Sequence, residues 1–451
     1  MDGYNRGVGA PAGAPLWYSV LLTDQVGTFA SRSSDYFIAH CALVPWHLYP
    51  PNGINQYSAV QRSENRILTT HTGSLPRSAE LRRMLAARER EEDRPREAER
   101  FETLVRDEVD RVVQMQVETG IDVLNDGEQG KASFHRYRLN RLSGFEAIDH
   151  TQDPTISRAV VREALDFPEF YERWTRQWRG SRSSDGDSRS SKTVCCTGPI
   201  GWKGFSETER DIANLIASTR DLDLGEVFMT SISPTTYAPP NVYYPSQDDY
   251  LDAMADAMAV EYEAIVEAGL LLQIDAPDLT TMYRLADLTF EEYATMTERG
   301  VATINRATRN IAPDRIRVHV CWGADEAPHN RDVPLRDIVD MLLKLRPQGL
   351  AVPGANGRHS HEWSVWRDVG LPDDKVLIPG VIDSTTNIIE HPEAVAERIV
   401  RYAEVVGTSQ LVAGVDCGFG TVAGVEQVDE RVVWAKLDSL VKGARLASLS
   451  V

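Results

Sequence analysis

The sequence has few cysteines, no excess of positive charge and no long apolar run. Five cysteines in 451 residues are too few for a disulfide framework, so we expect reduced thiols in a cytoplasmic protein. The formal net charge of -19 argues against nucleic acid and anionic membranes as partners. A stretch of about 18 apolar residues, which a membrane span needs, is missing, and the first thirty residues do not resemble a secretory signal.

Residues 1–63 differ in composition from the rest of the chain. They are rich in glycine, proline, serine and tyrosine without a clear period, which predicts a poorly ordered N-terminal extension. His40, Cys41 and His47 within it form an alternative metal site, but we assign the extension no chemistry. Residues 64–451 are predicted to form the catalytic domain, with a flexible surface loop at 181–192.

From residue 66 onward, short apolar segments alternate with amphipathic helices. The predicted strands are near-continuous apolar runs, as buried parallel strands are; they are 67–70, 122–125, 271–275, 316–321, 349–353, 376–383 and 410–416. A period of 3.6 residues predicts helices over 78–119, 248–268, 290–310, 335–345, 392–406 and 428–446. Segments 194–199 and 227–234 compete for the third strand, and either choice makes eight strands. Repeated strand–helix units predict a (β/α)8 TIM-type barrel, with a doubly wound open sheet as the alternative.

Polar residues follow most of the predicted strands at their carboxyl ends, where barrel enzymes hold their active sites. In chain order they are His71, Ser74, Asp126, Glu128, Asp275, His319, Cys321, Asn356, Asp383, Asp416 and Cys417. A single polar residue after a strand commonly caps the next helix. Polar residues after this many strands, all at one rim, predict a functional site. We include His71 among the substrate-binding candidates.

The metal-ligating candidates are His319, Cys321 and Cys417. His319 and Cys321 are two residues apart, so their side chains share one face of a strand, and Cys417 follows a strand that neighbours the first one on closure. Zinc accepts nitrogen and sulfur ligands, and its catalytic sites keep one position open. A bound zinc also lowers the pKa of a thiol. The spacing alone leaves open the alternative that both cysteines are small buried apolar residues.

Three further rim residues are candidates for binding a substrate. Glu128 and Asp275 can hold an amino group by charge-assisted hydrogen bonds, unless they form salt bridges with Lys131 or Arg284. The loop at Ser74 offers backbone N–H groups and a hydroxyl to a carboxylate, unless it is a plain turn.

Six segments, taken in order, resemble the catalytic barrel of cobalamin-independent methionine synthase, and more closely its shorter single-barrel relatives. They are 67–77 (ILTTHTGSLPR), 120–128 (GIDVLNDGE), 273–277 (QIDAP), 318–321 (VHVC), 378–383 (IPGVID) and 415–418 (VDCG). The resemblance covers roughly residues 64–446. It implies a TIM-type barrel of the methionine synthase/uroporphyrinogen decarboxylase-like kind, with a zinc site made of His, Cys, Glu and Cys.

The resemblance also implies an activity. It is that of a zinc-dependent methyltransferase moving a methyl group to the thiol of homocysteine, like 5-methyltetrahydropteroyltriglutamate–homocysteine S-methyltransferase. By motif, the three metal candidates match zinc ligands, and Ser74 matches the loop that holds the amino-acid carboxylate. Glu128 and Asp275 match the acids that hold the amino group. The partners implied are a small-molecule thiol and a methyl or alkyl donor.

The chain departs from the family pattern at the fourth zinc ligand. Similar sequences read Glu-Gly-Ala-Asn after the predicted strand 349–353, whereas this chain has Pro353 in place of the glutamate. Proline cannot ligate zinc. Glu362 is then the possible fourth ligand, with His359 and His361 as alternatives, unless the site has three protein ligands or has lost its zinc.

Two other departures from the family pattern concern the methyl donor. The histidine that follows the aspartate of the strand 376–383 in the synthase is Ser384 here. The tryptophan that stacks on folate has no clear match, and Tyr237 and Trp202 are the candidates. Two alternative functions therefore remain: an epoxyalkane–coenzyme M transferase-like thiol alkyltransferase, and a metal-free ligand-binding barrel without turnover.

Overall fold

The computed structural model describes residues 59–89, 95–149, 162–174, 192–425 and 427–451. The extension as far as residue 58, with its alternative metal residues, and the predicted loop as far as residue 191 lie outside these ranges. Within them, no helix is both long and apolar enough to cross a membrane.

Short strands and longer helices alternate along the described chain. The strands are β1 (Leu68–Thr69), β2 (Val123–Leu124), β3 (Leu142–Asp149), β4 (Lys192–Trp202), β5 (Glu226–Ile232), β6 (Leu271–Asp275), β7 (Ile316–His319), β8 (Gly349–Val352), β9 (Val376–Pro379) and β10 (Val412–Ala413). The helices are α1 (Ala79–Glu89), α2 (Pro95–Thr119), α3 (Tyr137–Arg141), α4 (Arg162–Asp166), α5 (168–174), α6 (Ser206–Thr219), α7 (Gln247–Glu267), α8 (Asp278–Leu285), α9 (Phe290–Ala307), α10 (Leu335–Leu342), α11 (Val365–Val369), α12 (Pro392–Val406) and α13 (Glu430–Ser448).

Eight parallel strands close into a ring, which confirms the predicted TIM-type barrel and excludes the open sheet. Strands β2, β5, β6, β7, β8 and β9 are hydrogen-bonded in that order, and β1 pairs with β10. Parallel bridges from Thr70 to Val123 and from Gly380 to Gly414 join these two sheets at both sides. The strand tips that carry the predicted polar residues therefore meet at one rim.

The third strand of the ring is β5, which settles the competition between the two candidate segments. All seven residues of β5 are buried, as a strand covered on both faces must be. Segment 194–199 lies instead in β4, which pairs antiparallel with β3 in a separate hairpin. Val194 in this hairpin is 38% exposed, which a central barrel strand would not allow.

The long helices follow the predicted periodicity, but α6 was not predicted. Its buried face includes Thr208, Asp211 and Thr219 beside Ile212 and Leu215. Three of these five buried residues are polar, and polar residues do not mark a buried face in the sequence. Helix α12 has the bounds that the sequence predicts.

The segment before β1 covers the amino end of the barrel. The backbone N–H of Val60 donates to the carbonyl of Asp314, and that of Gln61 to Glu226, both at 2.7 Å. Ser63 donates to the carbonyl of Leu411. Residues 59–63, the end of the predicted extension, therefore pack as part of the barrel.

A buried arginine fills the barrel beneath the rim. Arg317 donates to Gln273 and to the carbonyl of His71, both at 2.8 Å, and its guanidinium lies 3.7 Å from the centre of the Phe228 ring. Burial lowers its pKa to about 10 although Glu226 lies nearby. This packed layer lies one register step below the rim and supports the side chains above it.

Candidate functional site

The three predicted metal ligands converge at the carboxyl rim. One ring nitrogen of His319 and the Sγ atoms of Cys321 and Cys417 all lie within 4.8 Å of one another. His319 is the last residue of β7. Its side chain is buried, and among the described residues neither of its ring nitrogens has a hydrogen-bond partner. A buried imidazole without any partner is costly. The cluster is thus a possible metal-binding group, and nitrogen and sulfur atoms are the donors that zinc prefers.

The two thiols of the cluster differ in acidity. Contact with Cys417 lowers the pKa of Cys321 well below its usual range, and His319 acts in the same direction. The backbone N–H of Gly323 also donates to the Cys321 sulfur at 3.2 Å. Contact with Cys321 and burial raise the pKa of Cys417 well above its usual range. One sulfur of the pair is therefore readily ionised, as a metal ligand must be.

A cavity of about 380 Å³ opens beside the two thiols. Its walls come from the loops that follow β7, β8, β9 and β10. Cys321 and Cys417 line it together with Pro353, Asp383 and Ser384. The volume falls in the range of small-molecule sites, and its place at the carboxyl ends of the strands is where barrel enzymes act.

Glu128 lies close to Gly73, beside the Ser74 loop. Its backbone is in the left-handed region, at φ 56°. Oε1 accepts a hydrogen bond from Thr230 at 3.1 Å, whereas the buried Oε2 has no partner within the described residues. Lys131, the expected alternative partner, donates instead to the Thr230 carbonyl. Glu128 can therefore accept a hydrogen bond from a ligand.

Asp275 lies beside the metal-binding group. It ends β6 and is paired in register with His319 of β7. Burial and the nearby charge of Glu128 raise its pKa to about 7. The predicted alternative partner, Arg284, binds Asp325 instead. A buried acid with a raised pKa at the rim is typical of a functional site.

The Ser74 loop packs against the loop that carries Cys417. The Ser74 hydroxyl accepts a hydrogen bond from the backbone N–H of Gly420 at 3.2 Å. The Ser74 carbonyl accepts one from Phe419 at 2.9 Å. Closure between β1 and β10 thus brings the predicted carboxylate-binding loop to the metal-binding group.

His71, a predicted substrate-binding residue, is not placed with a free ring nitrogen. Its Nε2 lies 2.7 Å from Gln116 Oε1, and its Nδ1 accepts a hydrogen bond from the backbone N–H of Gly73 at 3.3 Å. Burial lowers its pKa to about 4. Both nitrogens are thus used within the fold, and His71 supports the loop that holds Ser74.

Glu362 is not placed as a fourth ligand either. Its Oε1 accepts from the backbone N–H of Leu335 at 2.7 Å, and its Oε2 lies 2.8 Å from His359 Nδ1. His359 Nε2 in turn lies 3.0 Å from Asp332. Burial lowers the pKa of His359, but hydrogen bonds to these two acids outweigh it and raise the pKa to about 9. The carboxylate of Glu362 and the imidazole of His359 therefore bind each other, and neither is part of the group of His319, Cys321 and Cys417.

Sequence reasoning did not identify what Asp416 does. Its carboxylate accepts hydrogen bonds from the backbone N–H groups of Gly354, Ala355 and Asn356, each at 2.8 Å. It also accepts one from the Asn356 side chain at 2.9 Å. Asp416 therefore fixes the loop after β8 to the strand that leads into Cys417. Its place directly before Cys417 was the only signal in the sequence.

The two aromatic candidates for donor binding lie in different places. The Tyr237 ring lies 5.0 Å from that of His135 and 6.0 Å from that of Phe134, among rim loops. Trp202 stacks on Phe205 at 4.7 Å in the β3–β4 hairpin region and donates to the carbonyl of a residue in α7. Tyr237 alone of the two is thus at the rim.

A buried arginine that the sequence analysis missed shapes the loop of Tyr237. Arg138 donates hydrogen bonds of 2.9 to 3.2 Å to the carbonyls of four residues: Ser233, Pro234, Thr236 and Tyr237. A single arginine in a short helix carries no local signal of such a role. Four hydrogen bonds from one guanidinium tie these carbonyls together and hold the loop in shape.

Comparisons with known proteins find relatives that are named for thiol alkylation. A family model described as "Cobalamin-independent synthase, Catalytic domain" matches residues 67–164. The chain is 23% identical over 392 residues to a methionine synthase of Thermococcus kodakarensis, which covers 84% of this chain and 92% of that protein. It is 26% identical over 247 residues to 2-hydroxypropyl-CoM lyase of Xanthobacter autotrophicus, covering 49% of this chain and 61% of that protein.

A solved structure shares the fold. The B12-independent methionine synthase from Shewanella sp. W3-18-1, in complex with selenomethionine, superposes with a TM-score of 0.59 at 19% identity and covers 85% of this chain and 98% of that one. Over residues 67–164 the chain is similar to the catalytic domain of cobalamin-independent synthases. Over most of its length it is similar to a methionine synthase, and it shares the fold of a B12-independent one.

Proposed function

We propose that this protein is a zinc-dependent methyltransferase that moves a methyl group to the thiol of homocysteine. The observation that carries the proposal is the buried group of His319, Cys321 and Cys417, whose ligand atoms lie within 4.8 Å of one another at the edge of a cavity. The relatives named methionine synthase support the same reaction.

The side chains present fit a zinc ion. An imidazole with two unpartnered buried nitrogens lies beside two thiols, and this donor set is one that catalytic zinc uses. His319, Cys321 and Cys417 would hold the ion. When bound, zinc would act as a Lewis acid and lower the pKa of the substrate thiol.

The rim acids and the Ser74 loop would hold the amino-acid part of the substrate. The unpartnered Oε2 of Glu128 and the carboxylate of Asp275 can accept hydrogen bonds from an ammonium group. The loop at Ser74, tied to the Cys417 loop, meets the carboxylate. Binding both ends of the amino acid orients its sulfur for reaction.

The transfer is a displacement at the methyl carbon. The substrate thiol loses its proton, and its sulfur forms a bond to the methyl carbon of the donor. The bond between this carbon and the donor breaks, and its electron pair leaves on the donor, which then takes up a proton. The barrel excludes water from the buried Glu128 and Asp275, so their charges act on the substrate more strongly than in solvent.

Metal content and turnover test the proposal together. The full chain, kept reduced and loaded with zinc, is compared with Cys321→Ser and with Cys196→Ser, which removes a buried thiol in the β3–β4 hairpin. We expect stoichiometric zinc and methionine formation in the wild type and in C196S, and loss of both in C321S. A wild type that holds no stoichiometric metal would instead support the metal-free ligand-binding barrel.

Opening of an epoxide by a thiol is the second candidate, because one relative is a 2-hydroxypropyl-CoM lyase. A panel of homocysteine and coenzyme M with methyltetrahydrofolate, methylcobalamin and small epoxides separates the two reactions. If the product is methionine, methyl transfer is supported. If the product is a hydroxyalkyl thioether formed from an epoxide, epoxide opening is the function instead.

We place the enzyme in the cytosol with small molecules as its partners. Cysteine ligands must remain reduced, and the cytosol keeps thiols in that state. The net charge of -19 is unfavourable for binding nucleic acid.

A further inference from the structure

Position 353 faces the metal-binding group because of the strand register. His319 of β7 pairs with Ala351 of β8, and side chains that pair across neighbouring strands point to the same face of a sheet. Since this alternation has a period of two, Cys321 and Pro353 are the next pair on that face. Both line the cavity beside Cys417.

The backbone around Pro353 is held in place on both sides. The N–H of Gly380 donates to the carbonyl of Val352 at 2.7 Å. The N–H groups of residues 354–356 all donate to the Asp416 carboxylate. The backbone at position 353 is therefore fixed, so the identity of the residue decides which chemical group faces the metal-binding group. A proline ring has no atom that can ligate a metal.

Three carboxylates near the metal-binding group, those of Asp416, Glu362 and Asp383, have hydrogen-bond partners within the protein. Asp416 accepts four N–H groups, and both oxygens of Glu362 have partners. Asp383 Oδ1 accepts from the N–H and the hydroxyl of Thr385, at 2.8 and 2.7 Å. Across the described ranges, the ligand atoms gathered within 4.8 Å belong to one histidine and two cysteines.

We infer that Pro353 leaves the fourth coordination position of the metal to the substrate thiol, which binds there without displacing a protein group. The inference rests on the proposed function, because it takes the His319 group as the metal site. A divalent ion with two thiolates and a neutral imidazole carries no net charge. A carboxylate at position 353 would make this centre anionic and oppose an incoming thiolate. Pro353 is thus a specificity-determining residue that favours thiol binding.

Replacing zinc by Co²⁺ allows the ligands of the metal to be followed by absorption, without measuring turnover. The full chain is loaded with Co²⁺ as wild type, Pro353→Ala and Pro353→Glu, and homocysteine is titrated while the sulfur-to-cobalt absorption is recorded. We expect wild type and P353A to gain absorption on adding the thiol. P353E should bind cobalt about tenfold more tightly or better, equivalent to about 1.4 kcal/mol, and need at least about tenfold more thiol for the same change.

The outcomes separate this inference from the proposed function. Wild-type cobalt protein whose absorption does not respond to the thiol overturns the inference and leaves the metal site standing. P353E with the cobalt affinity and thiol response of P353A also overturns it. Protein that binds no cobalt in any form defeats both proposals. Melting curves of P353E and P353A show whether P353E folds. If it does not, the wild-type titration alone still tests the inference.

Discussion

At the scale of single residues, the site depends on polar atoms that the fold leaves without partners. In the part of the chain that the structure describes, His319 has two such nitrogens and Glu128 has one such oxygen. Buried unpaired groups of this kind destabilise a protein unless a ligand satisfies them. Their position at one rim separates these residues from His71, whose nitrogens are both engaged.

Substitution of Glu128 by glutamine should weaken substrate binding and leave metal binding intact. The amide keeps the shape of the side chain but loses the charge that attracts an ammonium group. A hydrogen bond to a charged group contributes about 1.5 to 3 kcal/mol, so we expect KM for homocysteine to rise about tenfold or more. Glu118→Gln, an exposed change on α2, is the control. Equal KM values for the two variants would contradict the role of Glu128.

The imidazolium of His359 should make stability depend on pH. Burial lowers its pKa, but hydrogen bonds to Asp332 and Glu362 raise it to about 9, above the unfolded value of about 6.5. The stabilisation is therefore full below pH 6.5 and is lost as pH rises through 9. We expect the metal-free wild type to lose about 1 to 3 kcal/mol over this interval relative to His359→Gln.

Urea unfolding at pH 6.5 and at pH 9.5 measures this difference. His361→Gln is the matched control, because His361 is exposed and lies two residues away. If H359Q and H361Q lose stability equally with rising pH, His359 is not the charged group.

At the scale of elements, the loop after β8 is positioned by a contact with the segment after β10. Asp416 accepts hydrogen bonds from three consecutive backbone N–H groups, those of residues 354–356. An Asp416→Asn change places an amide, with one acceptor oxygen, against these donors. We expect hydrogen exchange of these amides to accelerate about tenfold or more, since an unsatisfied buried donor costs about 1 to 3 kcal/mol.

Hydrogen–deuterium exchange on a peptide that covers residues 354–356 checks this expectation. Asp383→Asn is the control, since Asp383 bonds to Thr385 in its own loop. Unchanged protection in D416N would show that the strand ends alone hold the loop.

At the scale of the whole molecule, closure of the barrel assembles the site. Ser74 follows β1 and Cys417 follows β10, so the pairing of the first and last strands brings the Ser74 loop to the group of His319, Cys321 and Cys417. Val60, Gln61 and Ser63 add contacts across the amino end of the barrel.

Two shortened chains should therefore behave differently. A chain that starts at residue 59 keeps the contacts of Val60, Gln61 and Ser63, and we expect it to melt like the full chain and to bind metal. A chain that starts at residue 65 loses these contacts, and its melting temperature should fall by about 2 °C or more. Calorimetry with equal metal loading measures both. If the chain that starts at residue 59 already melts at a lower temperature than the full chain, residues before 59 contribute to stability.

Sequence by itself determined the alternation of strands and helices and the polar rim. The strands β6 to β9 are largely apolar, β6 and β7 end in Asp275 and His319, and Asp383 follows β9. These patterns are local, so they can be read without the fold. The pairing of His319 with Cys321 follows from strand alternation alone. The missing carboxylate at Pro353 is likewise a matter of residue identity.

Tertiary structure decided which of these residues meet. It selected β5 over segment 194–199, because only β5 is buried along its whole length. It turned His71 inward to Gln116 and engaged Glu362 with His359, since hydrogen-bond partners distant in the chain compete for each polar atom. It also brought Cys417 to His319. Contacts between distant segments depend on register and ring closure, which local sequence patterns do not encode.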